Sequence, residues 1–259
     1  MMDASQLKGM LHAHAEWLST AQKKGNRLSL VGENLIRAEL EGADLRMADL
    51  REVNLSGAKL QRVRLDGANL ERARLPAANL RGASLEGANL TGAHLQNTIL
   101  VGANLRKAAL APADLELANL SQADLTGSDL QKATLRRVDL SRAILIDTDL
   151  RRADLADANL HRACFDGANL QATKLTGMDF SQCTFVGANL KKVRMQQATL
   201  AQVDFTDADL RDAKLSESDF YKAILQNADL RGADLCRAVS LSGALLETAI
   251  TDEKTILRE

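Results

Sequence analysis

Every fifth residue from Leu30 to Leu235 is a large apolar one, 42 positions in succession without an insertion. Leu fills 36 of them, Phe five, and Met195 the last. A helix repeats every ~3.6 residues and a strand every ~2, so neither keeps these side chains on one face. On a helix a five-residue step turns by about 500° and scatters them around the barrel. The chain must therefore turn within each unit. Two residues before each centre stands a small residue, Ala in 28 of 42 cases, so the pair alternates inward as i and i−2 do on a strand. The residue just before the centre is Asp or Asn in 24 of 42, and 13 of the 16 Gly lie two residues after a centre. Both suit corners, Gly through its backbone freedom and Asx through side-chain bonds to nearby backbone. The unit reads A-(D/N)-L-x-x, as in Ala43-Asp44-Leu45 and Ala88-Asn89-Leu90.

Over roughly residues 28–237 this pattern resembles the pentapeptide-repeat family. The resemblance implies an all-β solenoid: a right-handed quadrilateral parallel β-helix of about ten coils, four units to a coil, with an N-terminal α-helical cap. At ~4.8 Å per layer the rod is ~50 Å long. Residues 1–27 are expected to be the capping helix, 28–237 the β-helix and 238–259 a C-terminal cap or tail. Stacking residues twenty apart places Phe165, Phe185 and Phe205 in one interior column. Phe180 and Phe220 fall in another, with Leu200 between them. Stacked core packing is the expected role of these rings, and a filled coil leaves no room inside for a ligand.

A solenoid must cover its ends. Leu7, Met10, Leu11, Trp17 and Leu18 form an amphipathic stripe that predicts the cap. Asp3 and Gln6 resemble a capping box, Lys23 and Lys24 are placed in the last turn, and Gly25 is read as the stop. Glu33 puts a charge at an inward small position in the first coil. At the other end the register slips by one, to Leu241 and Leu246, so the regular coil is expected to end near residue 238. The tail Ala249–Leu257 resembles a terminal capping segment, and a homodimer contact through a terminal cap is its alternative role.

The composition, 46% hydrophobic but 3% aromatic, follows from one Leu-sized and one Ala-sized interior slot per unit. No apolar run is long enough for a membrane span. Three Cys make no disulfide framework, which points to a reducing cytoplasm. With 33 basic and 34 acidic residues there is no global electrostatic case for nucleic acid. His12 and His14 point to different sides of a helix, and His94 and His161 lie at outward repeat positions. Cys164 and Cys236 also face outward and Cys183 inward, and solvated side chains are expected for all of these. No catalytic, cofactor-binding or metal site is expected. The basic group Arg136, Arg137, Arg151 and Arg152 lacks interleaved aromatics and is read as solvated corners.

What remains is surface. Sorted onto four faces, the outward residues sum to +1, +2, +1 and −4. The acidic face is that of Leu45, Leu65 and Leu85, and it also carries outward apolar residues. The candidate interaction surface on it comprises Asp124, Ile144, Ile146, Asp147, Cys164, Asp166, Val186, Asp204, Asp207 and Ile224. The expected function is a non-enzymatic protein–protein interaction scaffold acting through the rod surface. The family resemblance supplies an alternative, a DNA mimic that binds DNA gyrase and protects or inhibits it. That reading expects dense negative charge, and three of the four faces are slightly positive.

Overall fold

The protein, described by a computed structural model over residues 4–257, is a right-handed quadrilateral parallel β-helix with a helix at its start. Parallel bridges link i−1 residues twenty positions apart, from Ser29↔Asp49 to Asp219↔Val239, at every step but two, 154 to 174 and 159 to 179. Four pentapeptides thus make a coil, and the stacked Phe column follows. Leu centres and their small neighbours fill the interior, nearly all of them excluded from water. Between coils, nearly every centre donates its N–H downward, as Leu60 does to Asn79 C=O at 2.8 Å. The residue before it donates upward, as Lys59 does to Ala38 C=O at 2.9 Å.

Each corner is a four-residue turn from one centre to the next small residue, closed for example by Ala58 N–H on Leu55 C=O at 3.0 Å. Except at the cis Ala111–Pro112 corner, its third residue takes positive φ whether or not it is Gly, +65° at Gly57 and +55° at Arg62, the sign pattern of a type II turn. The Asx residue before the centre then caps the corner. Asp124 Oδ1 accepts the Thr126 N–H at 2.9 Å and its hydroxyl at 2.6 Å. Where the corner residue is Arg, the same carboxylate also takes the guanidinium, as in Arg211 to Asp209 at 2.8 and 2.6 Å.

The five Phe pack as one cluster. Phe165, Phe185 and Phe205 stack at 4.9 and 5.5 Å, Phe180 meets Phe185 edge-on at 5.6 Å, and Phe220 tilts against Phe205 at 6.5 Å. The two expected columns therefore touch.

Helix α1, Ala4–Ser19, covers the first coil. Leu7, Met10 and Leu11 pack on the core, and Trp17 and Leu18 are half-buried. Asp3 lies outside the described residues. Lys23 and Lys24 lie beyond the helix, which stops earlier than expected. Ala21 and Gln22 both take positive φ, and Gln22 N–H returns to Trp17 C=O at 2.8 Å. Gly25 acts not as the helix stop but as a point of close approach. A Cβ there would stand 2.1 Å from the Ala13 carbonyl oxygen, so Gly lets the loop lie against the helix. His14 is fully buried rather than solvated. Its Nδ1 accepts the Leu28 N–H at 3.1 Å, its ring stacks on Trp17 at 5.6 Å, and burial holds its pKa below the ordinary 6.5. Glu33 is half-buried.

At the far end the last twenty-residue pairing is Asp219↔Val239, so the regular coil ends near residue 238. Helix α2, Gly243–Leu246, capped by Ser242, replaces one side. The chain then pairs again, Asp229↔Ile250 and Asp234↔Ile256, at offsets of 21 and 22 residues. Asp252 accepts the Gly232 N–H at 2.9 Å, so the tail forms a last, irregular coil.

Candidate interaction face

One continuous ladder carries the centre of the expected surface: Asp124, Ile144, Cys164, Thr184, Asp204 and Ile224 are bridged in that order. Ile146, Asp147, Asp166, Val186 and Asp207 occupy the corner beside it. The coil geometry, not a local motif, brings these residues together, since neighbours on the face are twenty apart in sequence.

Charge is uneven along this face. In the N-terminal half Asp44 pairs with Arg46 at 2.7 Å and Arg64 at 3.3 Å, and Asp124 pairs with Arg106 at 3.1 Å. Four acids and four bases cancel over residues 44–124. Beyond them stand Asp147, Asp166, Asp204 and Asp207 with no Lys or Arg on the face, so the whole −4 belongs to the C-terminal half. Three of these acids are held by neutral donors: Asp166 by Val186 N–H at 3.0 Å, Asp204 by Thr206, and Asp207 by Asn227 at 3.0 Å.

Apolar exposure coincides with that half. Ile144 is 38% exposed and Ile224 48%, whereas Ile146, Val186 and Cys164 are half-buried. Ile144 lies directly over Cys164, but Thr184 and Asp204 separate that group from Ile224. Burial raises the Cys164 pKa, and so the thiol is not an activated nucleophile. Tyr221, exposed at the corner preceding Ile224, extends the lower apolar group. Sequence reasoning misses it because the corner position marks it only as outward.

Elsewhere, Cys183 is buried rather than solvated, its pKa pushed up to about 12 by desolvation, and its thiol donates to Leu160 C=O at 3.0 Å. Among the described residues no three His, Cys, Asp or Glu gather as a metal cage would require. No described helix is long and apolar enough to cross a membrane. Arg136 and Arg152 are exposed, as expected, and line a cleft of about 690 Å³ in the wall of the rod.

The sequence pattern known as pentapeptide repeats (8 copies) matches residues 34–72, 68–106, 103–142 and 135–171, and the pentapeptide repeat region matches 158–235. Among solved structures the chain is similar to HetL, a pentapeptide repeat protein involved in heterocyst differentiation regulation from the cyanobacterium Nostoc sp. strain PCC 7120. The two are 31% identical, with a TM-score of 0.51 over 88% of this chain and 97% of HetL. QnrB1, a plasmid-mediated fluoroquinolone resistance protein, shares the fold at 20% identity and a TM-score of 0.51, over 88% of this chain and 91% of its own. No curated protein matches at a significant level. Matches along most of the β-helix, together with the twenty-residue ladder, show that the chain belongs to the pentapeptide-repeat family.

Proposed function

We propose that the protein is a cytoplasmic, non-enzymatic scaffold that binds a protein partner through the C-terminal half of the Ile144 face. The coincidence there of exposed Ile144 and Ile224 with four acids unopposed by bases carries this reading. Clustered apolar side chains with a charged surround are what a partner surface needs, whereas isolated exposed ones are ordinary. The acids supply steering toward a basic partner and exclude acidic ones. The test is co-purification from the native host with wild type and with Ile144→Asp plus Ile146→Asp. A specific partner is expected with wild type and lost with the folded variant; equal recovery would remove this face from the proposal.

The gyrase-binding alternative has less support. A duplex mimic presents dense, unpaired negative charge, while several acids elsewhere on this rod are locally matched, as in Arg51–Asp49 and Arg151–Asp149 at 2.7 and 2.6 Å. In a gyrase supercoiling assay, with and without quinolone, no effect is expected at molar excess of the protein. Inhibition or protection would favour the mimic.

A further inference from the structure

The ladder has one interruption in its middle, and it coincides with the cleft. Between the coil of 141–160 and that of 161–180, the bridges Ile144↔Cys164 and Asp149↔Asn169 are made, but 154 does not pair with 174 nor 159 with 179. In the regular register Leu155 N–H would reach Lys174 C=O, Leu160 N–H would reach Asp179 C=O, and Lys174 N–H would reach Ala153 C=O. None of these bonds forms among the described residues. One coil earlier the equivalents are intact, Leu135 N–H to Asp154 at 2.7 Å and Leu140 N–H to Asn159 at 2.8 Å. One coil later Leu175 N–H reaches Arg194 at 2.7 Å and Phe180 N–H reaches Thr199 at 2.9 Å. The wall is thus slit along two adjoining sides and closed at both ends.

The core offers a cause. Met178 occupies a small slot that is Ala in 28 of 42 units, directly below Ala158 and next to Phe180. Overfilling a packed interior displaces backbone. Met178 is 8% exposed and Ala158 half-buried, although most interior positions are closed to water. Thr173 lines the slit, is 2% exposed, and its hydroxyl has no partner. The equivalent Thr148 donates to Leu125 C=O at 3.0 Å. Ser128 also lacks this bond, but its backbone ladder is whole.

We propose that this slit is a binding site for an extended peptide segment of a partner protein, which pairs its backbone with the unsatisfied lips. Each lip offers both donors and acceptors: N–H of Leu155 and Leu160 with C=O of Ala153 above, N–H and C=O of Lys174 below. A small anion would meet the donors but be repelled by the carbonyls, whereas another peptide backbone answers both. The volume of about 690 Å³ lies within the ~300–1,000 Å³ usual for ligand sites. Ala153, Ala158 and Met178 behind the lips select small side chains on the inward positions of the guest. Outside, Arg152 and Lys174 have no ion-pair partner among the described residues, while Arg136 is held by Asp154 at 3.2 Å. The site is separate from the Ile144 face, around the next corner at the same height.

The test uses the full chain and an immobilised array of random nine-residue peptides, with amide exchange read by NMR. Without peptide, the amides of Leu155, Leu160 and Lys174 are expected to exchange at least tenfold faster than those of Leu135, Leu140 and Leu175. A captured peptide is expected to slow them, to lose binding when its alternate amides are N-methylated, and to bind Ile144→Asp plus Ile146→Asp as it binds wild type. Met178→Ala, which restores the usual small residue, is expected to protect these amides and abolish capture. The proposal is overturned by equal protection in the free protein, by an array with no peptide that slows these amides, by an N-methylated peptide that binds equally, or by inorganic phosphate alone giving the same protection. If Met178→Ala fails to fold, the N-methylation result still decides. Loss of the co-purified partner in the Ile144 variant with peptide capture retained would separate the two sites.

Discussion

Replacing Phe185 tests whether the aromatic cluster, beyond merely apolar filling, stiffens the C-terminal half. The side chain is fully buried, stacked on Phe165 at 4.9 Å and Phe205 at 5.5 Å, and met edge-on by Phe180 at 5.6 Å. Leu fills 36 of the 42 centres, so Phe185→Leu suits the backbone and mainly removes three ring contacts. At ~0.5–1.5 kcal/mol each, partly recovered by repacking, the loss is about 1–3 kcal/mol. Phe185→Ala leaves a cavity as well and should reach about 5 kcal/mol. Solenoids need not unfold in one step, so the assay is native-state amide exchange. The loss should appear in opening free energies over residues 165–205 and be absent over 65–105. A double replacement with Phe165→Leu should cost less than the sum of the singles, by about 0.5 kcal/mol or more. Unchanged local opening in Phe185→Leu would refute the reasoning, as would a loss spread evenly along the rod.

Two further predictions concern the cap. The folded-state pKa of His14 is depressed by burial, so the unfolded cap binds the proton more readily. The stability contributed by its neutral form is present above about pH 6.5 and is lost as pH falls through the lower folded value. Fluorescence of Trp17, stacked on His14, should therefore report cap loosening on acidification, and a signal flat from pH 7 to 4 would contradict it. Gly25→Ala meets backbone at Ala13 and Trp17 and needs φ near +72°, so it should detach the loop from α1. The same fluorescence, shifted at pH 7, is the measurement; Gly42→Ala, with positive φ but open space, should cost only ~1 kcal/mol and leave it unchanged.

The repeat makes the β-helix and the Leu45-type acidic face legible because both depend only on the five-residue step and its stacking by four. It does not show that Asp44 and Asp124 are neutralised on the same face, since pairing depends on which rotamers reach across coils. His14 escapes because an amphipathic stripe assigned by apolar residues leaves out a His that lies on the buried side. The tail is readable as a change of register but not as a further coil, since α2 takes up the offset. The slit is hidden for a subtler reason. Met178 looks like a conservative apolar choice, and only the stack above it reveals that the slot is sized for Ala.

The constant stagger of the ladder bears on how the chain reaches its fold. Bridged residues are twenty apart in a chain of 259, a relative contact order of roughly 0.08. That is within the ~0.07–0.12 of fast helical bundles and well below the ~0.16–0.22 of β-sandwiches. A coil can wind as soon as the preceding one exists, so assembly can start behind α1 and proceed while the later repeats are still being synthesised. An all-β protein built this way needs no slow search for distant strands, and its growing end exposes only one coil's edge at a time.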